Sequence, residues 1–137
     1  MSKLGFDKVL KNLDRVKREL PKQVANDTKL YFLNAFRLEA WDGKPWELPQ
    51  RRKRKARSSR DRSKTLVQSG ALRRAVANSL KEATFQVIRF DVTDVTYAGY
   101  NNFGTPHNPQ RQFMGQTNEL TKIQTERITK IMDRIWG

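Results

Sequence analysis

Fourteen consecutive residues in the middle of the chain, RRKRKARSSRDRSK at 51–64, hold nine basic residues, one acid and no large apolar side chain. Such a run cannot be buried, because its charges repel one another and nothing in it offsets the entropy of ordering. It reads as an exposed basic arm, placed at 45–65, inserted between two foldable segments. The run carries +8 of the formal charge of +14, so the rest of the chain carries only +6. The globular part is therefore mildly basic, and the arm is the extreme feature. With 137 residues, 36% of them hydrophobic, residues 1–137 have the size of a single domain with a modest core.

Composition removes several classes of function. There is no cysteine, which excludes disulfide frameworks, thiolate metal sites and cysteine nucleophiles. His107 is the single histidine and leaves no room for a multi-histidine metal site. No apolar run reaches the ~18 residues of a membrane span. The opening MSKLGFDKVLKN lacks the apolar stretch of a secretory signal. The expectation is a soluble, intracellular domain with acidic partners.

Periodicity sets the elements. Phe6, Val9, Leu10, Leu13, Val16 and Leu20 fall at helical three- and four-residue spacing. Pro21 then stops that helix or opens the next at its first turn. Val24, Leu30, Tyr31, Leu33 and Phe36 continue on one helical face to near Trp41. Asp42-Gly43, Pro45 and Pro49 mark a turn-rich lead into the arm. Ser69 is an N-cap for a short helix whose stripe is Ala71, Leu72, Ala75, Val76 and Leu80, with Gly70 allowing close approach of backbone. Leu72 points inward there, while Arg73 and Arg74 point outward.

From Phe85 to Val95 the β-branched and aromatic density predicts two strands, joined as a hairpin across Thr93-Asp94. Tyr97 to Phe103 reads as a short helix closed by Gly104, and GTPHNPQRQ at 104–112 as an extended loop. The last helix covers roughly 116–136, with Leu120, Ile123, Ile128, Ile131, Met132 and Ile135 as its stripe. The fold class is α+β: long N- and C-terminal helices packed on a small antiparallel sheet, with an inserted basic loop. The expected core residues are Leu72, Phe85, Val87, Tyr97, Phe103, Ile128, Ile131 and Ile135. Tyr97, Tyr100 and Phe103 are expected to cluster, with Phe113 against them.

No catalytic arrangement emerges. His107 lies between prolines with no acid, serine or thiol placed beside it. Asp91 and Asp94 bracket an expected turn and read as turn caps. Gly99 and Gly104 lack the spacing and the lysine of a phosphate loop. The chain reads as non-enzymatic, with no cofactor, metal or small-molecule substrate. The arm fits three roles: a nucleic-acid tail, a dock for an acidic protein surface, or a solubilising loop. It contains no aromatic residue, which argues against base stacking.

Leu66 to Gly115 is most informative when read whole. It contains Leu66-Val-Gln-Ser69-Gly70-Ala-Leu72-Arg73, then Tyr97-Ala98-Gly-Tyr-Asn-Asn-Phe103-Gly104, then Pro109-Gln-Arg111-Gln-Phe113-Met114-Gly115. In order and spacing these resemble the phage virion-morphogenesis, or tail-completion, family of head–tail joining and neck proteins, like the gene G product of phage Mu. Trp41-Asp-Gly-Lys-Pro-Trp46 and the helical N-terminal third resemble its upstream region, so the resemblance covers most of the chain. Asn101 stands where the family has histidine, so any role needing an ionisable ring is lost. Gln112 stands where it has proline, so the loop is less preset and its conformation is expected to depend on a neighbouring subunit.

The resemblance implies a structural component of a tailed bacteriophage virion, assembled in the bacterial host cytoplasm and acting in the neck as a connector ring. Its partners would be copies of itself and other phage neck, connector and tail proteins, with non-specific DNA contact in a channel and no membrane. Residues expected at subunit interfaces are Arg73, Arg74, Pro109, Arg111, Phe113 and Met114, with Phe113 and Met114 as anchors. Arg51, Arg52, Lys53, Arg54, Lys55 and Arg57 are expected to face an acidic partner or DNA. The alternative reading is a basic nucleic-acid-binding protein that uses the 51–64 arm.

Overall fold

The apolar stripe that begins at Phe6 runs without a break into Val24, Thr28 and Tyr31, and the chain follows it as one helix, α1 (Lys3–Leu38). In this computed structural model, which describes residues 3–48, 70–92, 95, 97–106 and 109–137, Pro21 lies inside α1. It neither ends one helix nor starts another. A proline in a helix interior forfeits one hydrogen bond, but the Pro21 ring is fully buried and α1 is packed on both sides of it. Tertiary packing of an amphipathic face outweighs the local rule.

α1 ends short of Trp41. Ala40–Trp41 (β1) and Lys44–Pro45 (β2) pair antiparallel, with Trp41 opposite Lys44. Asp42 and Gly43 form the two-residue turn with φ of 51° and 78°, the double positive φ that suits Asp-Gly in a tight hairpin. Trp46 follows with only 6% exposure, and its N–H donates to the Glu39 carbonyl at 2.7 Å. The expected arm boundary at 45 is therefore too early: residues 45–48 belong to the body. The rest of the arm lies outside the described residues.

Gly70, with φ of 72°, occupies the N-cap of α2 (Ala71–Ala77); Ser69, expected there, lies outside the described residues. Leu72 and Val76 point inward, and Arg73 and Arg74 are exposed. The Ser79 hydroxyl donates to the Val76 carbonyl at 2.6 Å and the chain turns into β3 (Leu80–Ala83), which pairs antiparallel with β4 (Ile88–Phe90). The hairpin exists, but its turn is not at Thr93-Asp94. It lies at Thr84 to Val87, closed by the Thr84 N–H on the Val87 carbonyl at 2.8 Å. Phe90 anchors edge-on against Phe32, with ring centroids 5.2 Å apart, and pulls the charged segment Leu80–Ala83 into the pairing. Leu80 accordingly leaves the helical stripe, and Phe85 and Val87 fall at the exposed turn.

The short helix α3 (Ala98–Phe103) turns Ala98 and Asn102 inward. Tyr97, Tyr100 and Phe103 are therefore exposed and do not join the core, Phe103 to 76%. The last helix, α4 (Asn118–Trp136), is capped by the Thr117 hydroxyl, which accepts from the Leu120 N–H at 3.0 Å. It runs antiparallel to α1. Arg134 meets Glu19 at 2.5 Å, Arg127 meets Asp27 at 2.7 Å, and Gln124 donates to the Thr28 hydroxyl at 2.9 Å. Its buried line is Leu120, Ile131 and Ile135. Ile128 and Met132 lie one position off that line and are exposed.

The class is α+β, with two small two-stranded antiparallel sheets rather than one. The main core gathers Phe32, Phe36, Trp41 and Trp46 from the first segment with Leu72, Val76, Ala98, Phe113 and Leu120 from the second. A smaller cluster joins Val16 to Ile131 and Ile135. Of the expected core residues, Leu72, Ile131 and Ile135 are buried; Phe85, Val87, Tyr97, Phe103 and Ile128 are not.

Candidate functional site

Two features could serve a partner: the loop after α3 and a groove beside α1. The loop is built on Asn102. A buried amide must find partners, and the Asn102 Oδ1 accepts from the N–H groups of Phe113 at 3.0 Å and Met114 at 3.1 Å. Gln110 Nε2 donates back to the Asn102 carbonyl at 3.0 Å, and the Arg111 N–H to the Asn101 carbonyl at 2.7 Å. On the other edge, Trp46 Nε1 donates to the Gln112 carbonyl and Arg111 Nε to the Glu47 carbonyl, both at 2.9 Å. Gly104, at φ of 76°, lets Gln110 approach; a Cβ there would stand 3.1 Å from the Gln110 backbone nitrogen. Of the stretches singled out in the sequence, 41–46, 97–104 and 109–115 thus close on one another; the fourth, 66–73, lies partly outside the described residues. With these bonds, and Gln112 Nε2 on the Met114 carbonyl at 3.0 Å, residues 109–115 are tied to α3 and to the 41–48 stretch of the same chain.

This changes what the loop offers. Phe113 is 1% exposed and packs on Phe36, ring centroids 5.4 Å apart. It anchors the loop to its own core and is not a surface anchor, nor does it touch the α3 aromatics as a cluster. Asn102 and Trp46 draw the loop inward, which is why. Met114 is half-buried against the same core, and Pro109 and Arg111 are half-buried. Arg73 and Arg74 stand exposed on α2. Asp91 is exposed, 4.0 Å from Arg89; the turn expected between it and Asp94 lies outside the described residues. His107, Asp94 and the basic residues Arg51, Arg52, Lys53, Arg54, Lys55 and Arg57 lie outside the described residues.

The second feature is an open groove of about 830 Å³ between the C-terminal half of α1, the β1–β2 hairpin and the first half of α4. Leu30, Leu33, Leu38, Trp41 and Ile123 supply its apolar lining. Four carboxylates line it, Asp27, Asp42, Glu119 and Glu126, with the cations Arg37, Arg73, Arg127 and Lys130. Arg127 grips Asp27 with both arms, Nε to Oδ2 at 2.7 Å and Nη2 to Oδ1 at 3.3 Å; the bonded carboxylate pushes the guanidinium pKa higher still. The Tyr31 hydroxyl is also pushed up, first by burial and then by the Glu119 and Asp42 carboxylates, and it shares a hydrogen bond with the Thr117 hydroxyl at 2.9 Å. An apolar lining with a mixed charged rim is the make-up of a protein contact surface.

Among the described residues no group of three or more His, Cys, Asp or Glu side chains could hold a metal ion, and no helix is long and apolar enough to cross a membrane. Sequence reasoning missed Asn102, Trp46 and the groove. Asn102 carried one signal: it sits four residues after Ala98, so a helix that buries one buries both, and a buried asparagine demands partners. The groove had none, since it depends on how two distant helices meet. No protein-family model, curated protein or solved structure matches this chain.

Proposed function

We propose that this chain is a non-enzymatic structural component of a tailed phage virion, acting in the neck in head–tail joining or tail completion as one subunit of a ring. The reading rests on the three segments that resemble that family. The observation that carries it is that two of those segments, 97–104 and 109–115, meet the upstream 41–46 stretch in one small region, through Asn102, Phe113 and Trp46. Motifs that meet in space are explained together, as parts of one scaffold, whereas unrelated look-alikes have no reason to meet. The ring subunit would present rigid loops and the basic arm to its neighbours, with phosphate contacts made by charge and without base readout.

The test is assembly against nucleic-acid binding. Electron microscopy and light scattering on the full chain should show closed oligomers, and a gel-shift salt series should show weak DNA affinity in the monomer. Tight binding by the monomer with a steep salt slope would instead favour a nucleic-acid-binding protein that uses residues 51–64. Replacing Arg51, Arg52, Lys53, Arg54, Lys55 and Arg57 with serine should leave the melting temperature unchanged and cause a salt-sensitive defect in particle assembly or genome retention. Normal particle yield and infectivity from that variant would remove the arm from the mechanism.

A further inference from the structure

We infer that the N-terminal tip of α1 docks into the α1–α4 groove of a second copy of this chain, head to tail. The inference deepens the ring reading and rests on it for closure, although the contact itself is independent of any virion.

Val16 is the first α1 residue in the core shared with α4. N-terminal to it the same stripe continues in the open: Phe6, Leu10 and Leu13 are 56%, 50% and 43% exposed, with Val9 half-buried. Phe6, Val9, Leu10 and Leu13 stand at i, i+3, i+4 and i+7, the anchor spacing of a helix that lies in a groove. The occupant of the groove must bring apolar anchors for Leu30, Leu38 and Ile123, and Leu30 and Leu38 are themselves more than half exposed.

Three observations favour a second copy. The tip cannot reach its own groove, because α1 is one continuous helix and the two sites lie about 30 Å apart along it at 1.5 Å per residue. Residues 5–18 carry five basic residues and two acids, so two tips facing each other would repel. The groove brings four of the chain's 14 acids together, balanced by four cations, and is a near-neutral face on a molecule of formal charge +14. A tip on one surface and a groove on another make a heterologous contact, which repeats into a ring when the rotation closes and into a filament when it does not.

The test uses the full chain and two variants at exposed positions, Leu10→Asp/Leu13→Asp for the tip and Leu30→Asp/Leu38→Asp for the groove, each checked for an unchanged melting curve. In sedimentation velocity the wild type should exceed dimer mass and each variant alone should be monomeric. Mixed in equal amounts, the variants should form a one-to-one heterodimer and nothing larger, because one intact tip meets one intact groove. A monomeric wild type, a mixture that stays monomeric, or assembly lost by the tip variant alone overturns the inference; the last would mean tip-to-tip pairing or another partner for the tip. If both variants still form closed oligomers, this contact is wrong and the ring reading stands. Open filaments abolished by either variant would keep the contact and remove the ring.

Discussion

The Asn102 side chain, on a residue only 8% exposed, accepts from the backbone N–H groups of Phe113 and Met114. Each buried donor left unpaired costs about 1–3 kcal/mol. Asn102→Leu should therefore destabilise by about 2–4 kcal/mol, lowering the melting temperature by roughly 5–15 °C. Asn102→Asp keeps an acceptor in place and should lose less; equal losses for the two would show that the bonds to Phe113 and Met114 contribute little. Tyr31 makes a second residue-scale prediction, in pH. Its hydroxyl titrates above the ordinary 10.0 in the folded protein, so the unfolded phenol ionises first. The stability this shift contributes is complete below pH ~10 and lost as pH rises through the folded value. Tyr31→Phe should flatten the fall of stability above that pH; an identical alkaline profile would show that Tyr31 does not respond to its surroundings.

At the scale of elements, the α1–α4 pair is held by a narrow apolar line and by polar ties at Glu19, Asp27 and Thr28. Ile131, 2% exposed against Val16, is its clearest anchor, and Ile131→Ala should cost about 2–5 kcal/mol. An unchanged melting temperature would mean that α4 is not docked there. Both helices were legible in the sequence because their 3.6-residue stripes are long, and so was α3, whose end is fixed by Gly104. What was misread had one cause: local rules were applied where distant contacts decide. Pro21 breaks an isolated helix, but α1 is held on either side of it. The hairpin turn was placed by β-propensity, yet Phe90 on Phe32 sets the register and recruits Lys81 and Glu82, residues with little strand preference. Phe113 looked like a surface anchor because a proline-flanked loop is ordinarily exposed, and nothing local revealed that Asn102 and Trp46 pull it in.

At the scale of the molecule, the chain splits its core between two stretches of sequence. Residues 3–48 supply Phe32, Phe36, Trp41 and Trp46; residues 70–137 supply Leu72, Val76, Ala98, Phe113 and Leu120. Among the described residues, the contacts that unite them run from Trp46 on Gln112 to Arg134 on Glu19. Residues 49–69 link the two stretches covalently, and a covalent link keeps joined parts at high effective concentration. Severing it converts folding into association. Separately produced fragments 1–50 and 66–137 should reconstitute a native complex on mixing, with a melting temperature that now rises with concentration. Co-elution with helical circular dichroism equal to that of the intact chain is the expected result; fragments that stay apart and unfolded at high concentration would show that the covalent link is indispensable. Reconstitution would mean that the contacts between the two stretches suffice to hold the body together when the chain is cut within its most highly charged segment.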